Sequence, residues 1–165
     1  MRLNLGCGRM VLDGWFNVDV VANAKAPRPP EMLCDIRNVP LSAACADEVM
    51  AIHVLEHFYR WEVEDVLTEW VRLLAPGGRL ILEMPDLELA CRNVLAGSTD
   101  QMGMWPLYGD PSHRDPYMCH RWAWTYSTLE PILLHVGLSD VRRAAPLYHK
   151  ARKDRDMRVE ARKPL

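Results

Sequence analysis

Near its start the chain sets three residue groups suited to holding a ligand at what read as strand ends. Gly6-Cys7-Gly8 follows the short stretch Arg2 to Leu5. Glycines there let the backbone turn sharply and come close to a ligand; a plain structural turn has the same spelling. A dinucleotide site would continue as GxGxxG opening a helix. Position 11 is Val11 instead, and Asp13-Gly14 interrupts the segment at once. Pyrophosphate on a helix N-terminus therefore has little support, and a ligand without phosphates fits better. Asp19 ends a second short strand, where a carboxylate can accept hydrogen bonds from both ribose hydroxyls. Asp35 follows a third strand; its carboxylate suits an adenine amino group, with Ile36 covering a ring face. A surface acid in a turn, for Asp19, and a turn cap, for Asp35, are the plainer readings.

Histidine titrates near neutrality and suits general-base work. His53 ends a fourth strand, His57 follows it, and His113 and His120 lie in an aromatic-rich segment. Structural hydrogen bonding is the plainer reading for each of them. Glu56-His57 also reads as a helix cap, and Asp86 as an N-cap or a substrate contact. The five cysteines are Cys7, Cys34, Cys45, Cys91 and Cys119, with no CxxC pair. Cys119-His120 has no second ligand pair at metal spacing, so no metal site is expected.

These residues need elements to hold them. Strands are predicted at 2–5, 15–20, 32–35, 48–53, 79–84, 139–143 and 157–162. The stretch 48–53 is apolar on both faces, as in a buried parallel strand. Val63, Val66, Leu67, Trp70, Val71 and Leu74 recur at helical spacing over 61–74, and Pro76-Gly77-Gly78 stops that helix. A second helix spans 87–95. Ser127 and Glu130 have capping-box spacing for a third, which Gly137 ends. Residues 97–124 read as a long loop holding Trp105, Tyr108, Tyr117, Trp122 and Trp124, either a lid or a stacking surface. The alternation of strand and helix after residue 48 implies a mainly parallel α/β sheet. Gly6-Cys7-Gly8, Asp19, Asp35 and His53 then converge at the carboxyl ends of its strands, where such sheets bind ligands.

The 165 residues are 49% apolar and 25% charged, with net charge −2. That is the make-up of one globular domain. No global charge points to nucleic acid, and no nucleic-acid-binding module stands out. From Arg142 to Leu165, nine Lys/Arg face three Asp/Glu; the excess is a solvated strand face or a patch for an anionic partner. No segment approaches the ~20 apolar residues that span a bilayer, no signal peptide is evident, and the odd cysteine count fits a reducing compartment. A cytoplasmic location is expected.

Leu3-Asn4-Leu5-Gly6-Cys7-Gly8, Asn17-Val18-Asp19, Cys34-Asp35-Ile36, Ile52-His53-Val54-Leu55-Glu56-His57 and Leu74-Ala75-Pro76-Gly77-Gly78 stand in one order. With Trp124 to Leu129 and His135 to Leu138, they make the chain similar to the small, single-domain class I (Rossmann-like) S-adenosylmethionine-dependent methyltransferases. The resemblance covers most of residues 2 to 140. It implies a three-layer α/β fold of about seven strands, mostly parallel with the last antiparallel, and with reduced helices after strands 1 and 3. It implies S-adenosyl-L-methionine as methyl donor and S-adenosyl-L-homocysteine as product. Asn4, Gly6, Cys7, Gly8, Asp19, Val20, Asp35, Ile36 and His53 would bind that cofactor, and His53, His57 and His120 are the candidates for catalysis. The family usually has an acid where Asn4 stands and often a third glycine where Met10 stands. An O or N acceptor, small molecule or glycan-type, is implied. N-terminal helices that cover the site in larger relatives have no counterpart, so a second copy of the chain would serve as cover. The alternative function is a non-catalytic module or partner subunit that holds the cofactor or another nucleoside.

Overall fold

The computed structural model describes residues 1–148 and 154–165. Seven strands form one sheet: β1 (Arg2–Leu5), β2 (Phe16–Asp19), β3 (Met32–Leu33), β4 (Ala46–Ile52), β5 (Leu74–Pro85), β6 (Ser139–Ala144) and β7 (Asp156–Arg162). Their order is β3-β2-β1-β4-β5-β7-β6. Strands β1 to β5 run parallel, and β7 runs antiparallel to β5 and to β6. Among the described residues the α-helices are α1 (Val63–Leu73), α2 (Leu87–Leu95), α3 (Met104–Tyr108) and α4 (Tyr126–His135).

Side chains alternate across a strand, and here the two faces differ in kind. Val49 and Ala51 of β4, with Leu80, Leu82 and Met84 of β5, enter the main core. There they meet the apolar stripe of α1 (Val63, Val66, Leu67, Trp70, Leu73) and Leu129, Ile132 and Leu133 of α4. Trp70 is fully buried, and its indole N–H donates to the Ile36 carbonyl at 3.0 Å. Truncating it to alanine would cost about 3–5 kcal/mol.

The opposite face is covered by irregular chain. Met50, Ile52 and Ile81 form a small second core beneath Met10, Leu12, Trp15 and Tyr148. Further along that face the buried residues are charged. The Glu83 carboxylate accepts from the N–H groups of Leu147 and Tyr148 and from Arg158. Arg158 and Arg142 both donate to Glu160. Buried charges are tolerable when they are paired in this way.

The helices expected to be reduced after β1 and β3 are absent: none lies between β1 and β2 or between β3 and β4. A polar knot holds the first connection. The Asn4 amide donates to the Met10 carbonyl and to Asn17 Oδ1, and Asn17 Nδ2 donates to Leu12 O, Trp15 O and Glu31. Burial works against ionisation of Glu31, but hydrogen bonds from Asn17 and Arg28 prevail and lower its pKa to about 2.

Three local expectations are corrected. Pro76-Gly77-Gly78 lies inside β5, because Gly77 (φ 74°) donates to the Lys163 carbonyl and folds into the sheet as an irregularity. The cap of α4 is Thr125, in a box with Thr128, not Ser127 with Glu130. The 97–124 segment contains α3 and two 3-10 turns, at Pro111–His113 and Pro116–Met118. The C-terminal positive charge is largely consumed internally. Arg142, Arg143, Arg155 and Arg158 pair with Glu160, Asp86, Asp156 and Glu83, while Lys163 donates to the carbonyls of Val71 and Leu74. Lys150, Arg152 and Lys153 of that segment lie outside the described residues.

Candidate functional site

The turns after β1, β2, β3 and β4 meet at one edge of the sheet. Gly6 and Cys7 donate their N–H groups to Val18 O, Gly8 N–H donates to Asp19 Oδ2 at 2.6 Å, and Cys34 N–H donates to Asp19 O at 2.9 Å. Gly6 (φ 65°) cannot be replaced without strain: a Cβ there would lie 2.6 Å from Val54 Cγ2. Gly8 (φ 52°) faces open space.

Asp19 Oδ1 accepts from Val20 N–H at 2.7 Å and from Val21 N–H at 3.4 Å. A carboxylate has about four lone-pair sites, so one remains for a ligand hydroxyl. Val20 and Val21 beside it are 66% and 64% exposed, an apolar surface at the carboxyl ends of the strands. Asp35 pairs with the Arg37 guanidinium through both carboxylate oxygens. Those hydrogen bonds hold its carboxyl below the usual range. Ile36 belongs to the main core, and both N–H groups of the Asn4 side chain are taken up inside the knot described above. The Cys7 thiol is buried; burial, with the charge of Asp19, pushes its pKa up to about 12. It stays protonated and is no nucleophile.

His53 adopts a left-handed backbone (φ 54°) at the end of β4. Its Nδ1 lies 3.0 Å from Glu56 Oε1 and its Nε2 3.0 Å from Asp156 Oδ2. Burial disfavours the charged ring, but the hydrogen bonds to Asp156 and Glu56 prevail and lift its pKa to about 9. The same pairing holds Glu56 at about 2 against the burial of its carboxylate. Burial likewise opposes ionisation of Asp156, yet hydrogen bonds from His53 and Arg155 lower its pKa. His53 is therefore an imidazolium clamped between two carboxylates at neutral pH.

His57 and His120 meet edge to face with ring centroids 4.9 Å apart. His57 Nδ1 lies 3.3 Å from Cys119 O, and His120 Nδ1 lies 2.8 Å from Pro106 O. Burial lowers the pKa of His120, so its ring is neutral. Arg121 and Trp122 donate their N–H groups to the Glu56 carbonyl, strapping the aromatic segment over the Leu55–His57 turn. His113 is exposed and lies 3.9 Å from Asp110, outside this group. Asp86 caps α2 through Glu88 N–H and pairs with Arg143, so the capping interpretation holds.

Sequence reasoning missed Asp156 and Arg155 altogether and took Glu56 as a possible cap; the fold buries Glu56 against His53 instead. A hollow of about 990 Å³ lies at the other end of the sheet, at the amino ends of β1, β2, β4 and β5. It is open and lined by the paired side chains of Glu48 and Arg79, with Arg2 and Trp15. The strand-end residues do not reach it.

Residues 3–82 match a family described as a methyltransferase domain. Among the curated proteins compared, none matches. Solved structures share the fold. An S-adenosylmethionine-dependent methyltransferase from Archaeoglobus fulgidus is 16% identical with TM-score 0.65, over 98% of this chain and 85% of its own. A second from Methanosarcina mazei is 16% identical with TM-score 0.67, over 99% and 92%. The 1,6-didemethyltoxoflavin N1-methyltransferase of Burkholderia thailandensis, solved with its substrate and S-adenosylhomocysteine, is 18% identical with TM-score 0.64, over 99% and 70%. The match to a methyltransferase domain covers residues 3–82, just under half of the chain, and the strand order with the ordered turns at the carboxyl edge gives the whole chain the Rossmann-like fold of the S-adenosylmethionine-dependent methyltransferases it is similar to.

Proposed function

We propose that residues 1–165 act as one S-adenosylmethionine-binding unit that transfers the methyl group to an oxygen or nitrogen of a small-molecule acceptor. The meeting of Gly8 and Asp19 at the open edge of the sheet carries this reading. The glycine turn would lie under the methionine moiety, and Asp19 would hold the ribose. Val20 would present apolar surface to the adenine. Asp35 would take the adenine amino group by sharing its carboxylate with Arg37.

A sulfonium is already an activated methyl donor, so alignment and exclusion of water supply much of the rate. His53, with both ring nitrogens held by carboxylates, would fix the geometry of the edge rather than accept a proton. His57 and His120 are the rings suited to taking a proton from the acceptor. The small-molecule acceptor of the Burkholderia relative favours a small acceptor here. No helix among the described residues is long and apolar enough to cross a membrane.

Calorimetry with S-adenosylhomocysteine, followed by turnover of methyl-labelled S-adenosylmethionine on an acceptor panel, tests the proposal. Saturable binding that raises Tm by mass action is expected. Absence of binding would refute it. Binding without turnover on any acceptor would establish the non-catalytic module instead.

A further inference from the structure

Glu56, His57 and His120 form a cluster outside the adenosyl edge. One potential ligand atom from each lies within 4.8 Å of the other two. Both rings present Nδ1 to a backbone carbonyl. A carbonyl only accepts, so Nδ1 carries the proton and Nε2 the lone pair. Ligating histidines are commonly oriented by this second hydrogen bond. His120 Nε2 is 3.9 Å from Glu56 Oε1, too far for a hydrogen bond.

Glu56 supplies an independent observation. It is 1% exposed, its Oε1 faces His53, and its Oε2 has no hydrogen-bond partner. A buried carboxylate oxygen left without a donor is costly. One carboxylate oxygen of Glu56 and one nitrogen of each ring lie together beside it, a set that a cation would satisfy.

We propose that Glu56, His57 and His120 bind a divalent transition-metal ion of the zinc class, with a coordination position left for solvent or an acceptor oxygen. Two imidazoles and one carboxylate suit such an ion, whereas calcium and magnesium prefer all-oxygen sites. Bonds of about 2.0–2.1 Å put tetrahedral ligand atoms about 3.4 Å apart, so loading would draw the side chains together by roughly 1 Å. The His120 segment, strapped to Glu56 only through backbone bonds, can supply that movement. A bound ion lowers the pKa of an oxygen it holds, so an acceptor hydroxyl there would release its proton to solvent, and with the ion bound the two rings would act as ligands rather than as proton acceptors. That consequence rests on the methyl-transfer reading; metal binding itself does not.

The test uses the full chain, stripped with chelator and titrated with Zn²⁺ by calorimetry and with Co²⁺ by absorption. One saturable equivalent, a raised Tm and tetrahedral Co²⁺ bands without thiolate charge transfer are expected. His57→Ala and His120→Ala should each weaken binding at least tenfold, and Cys119→Ser should leave it unchanged. Glu56→Gln also disturbs His53, so S-adenosylhomocysteine binding and circular dichroism report whether that variant folds. No saturable binding, an affinity equal to the parent's in both histidine variants, or a thiolate band abolished by Cys119→Ser would overturn the site. S-adenosylhomocysteine binding without metal binding would refute this inference alone. Metal binding without S-adenosylhomocysteine binding would refute the methyl-transfer reading alone.

Discussion

His53 and Asp156 stand 103 positions apart, yet imidazole Nε2 and carboxylate Oδ2 are 3.0 Å from each other. The contact ties the end of β4 to the first residue of β7 across β5. It also closes the ring nitrogen that faces away from Glu56.

This clamp makes stability depend on pH. The folded-state pKa of His53 is about 9, above the ordinary 6.5. Its contribution is fully present below 6.5 and is lost as pH rises from 6.5 through 9. The full shift corresponds to about 3 kcal/mol as an upper bound. Glu56, lowered to about 2, contributes above its ordinary 4.5 and loses that contribution as pH falls towards 2. Denaturant midpoints taken across pH should therefore peak between about 5 and 6.5. His53→Gln should flatten the alkaline limb; an unchanged limb would refute the assignment.

Asp19→Ala should weaken S-adenosylhomocysteine binding at least tenfold, because it removes a charged acceptor and releases the Gly8 N–H. Asp35→Ala should have a smaller effect, since Asp35 already shares its carboxylate with Arg37. Calorimetry on folded variants decides; equal affinity for Asp19→Ala and the parent would end the ribose role.

The two glycines of the turn should separate folding from binding. Gly6→Ala meets Val54 and a positive φ, and should cost about 2 kcal/mol or more. Val54→Ala in the same chain should recover part of that loss. Gly8→Ala meets nothing within 4 Å, so it should cost only about 1–2 kcal/mol of backbone strain while reducing cofactor affinity. Thermal melts beside binding isotherms check both.

Asn4→Asp, which restores the acid usual in the family, should destabilise this chain by about 1–3 kcal/mol. The carboxylate would face the Met10 carbonyl and Asn17 Oδ1, both acceptors. A chemical-denaturation midpoint equal to that of the parent would contradict the role of Asn4 in the knot.

What the chain discloses by itself is local. The apolar spacing of α1 and the Asp86 cap of α2 are visible because nearest neighbours decide them, and α2 spans the 87–95 predicted for it. Pro76-Gly77-Gly78 misleads because a hydrogen bond to Lys163, far along the sequence, turns a breaker into part of a strand. Thr125 and Ser127 are both able caps, and only the actual path of the chain selects Thr125. The positions of Gly6-Cys7-Gly8, Asp19, Asp35 and His53 at one edge of the sheet were legible because each follows its strand directly. The partners of His53 were not, since Asp156 arrives from the last strand. Glu56, His57 and His120, the proposed ligands, stand on two segments, and no spacing rule announces their cluster.

The bare connections between β1, β2 and β3 bear on how the molecule assembles. That half of the sheet has no helix of its own, and its strands are two to four residues long. Such strands cannot hold together in isolation. The β4–α1–β5 unit, with a helix bridging neighbouring parallel strands, is the part able to form early. The ligand-holding edge then condenses onto it last, so strain in the first 35 residues should speed unfolding while leaving the folding rate nearly unchanged.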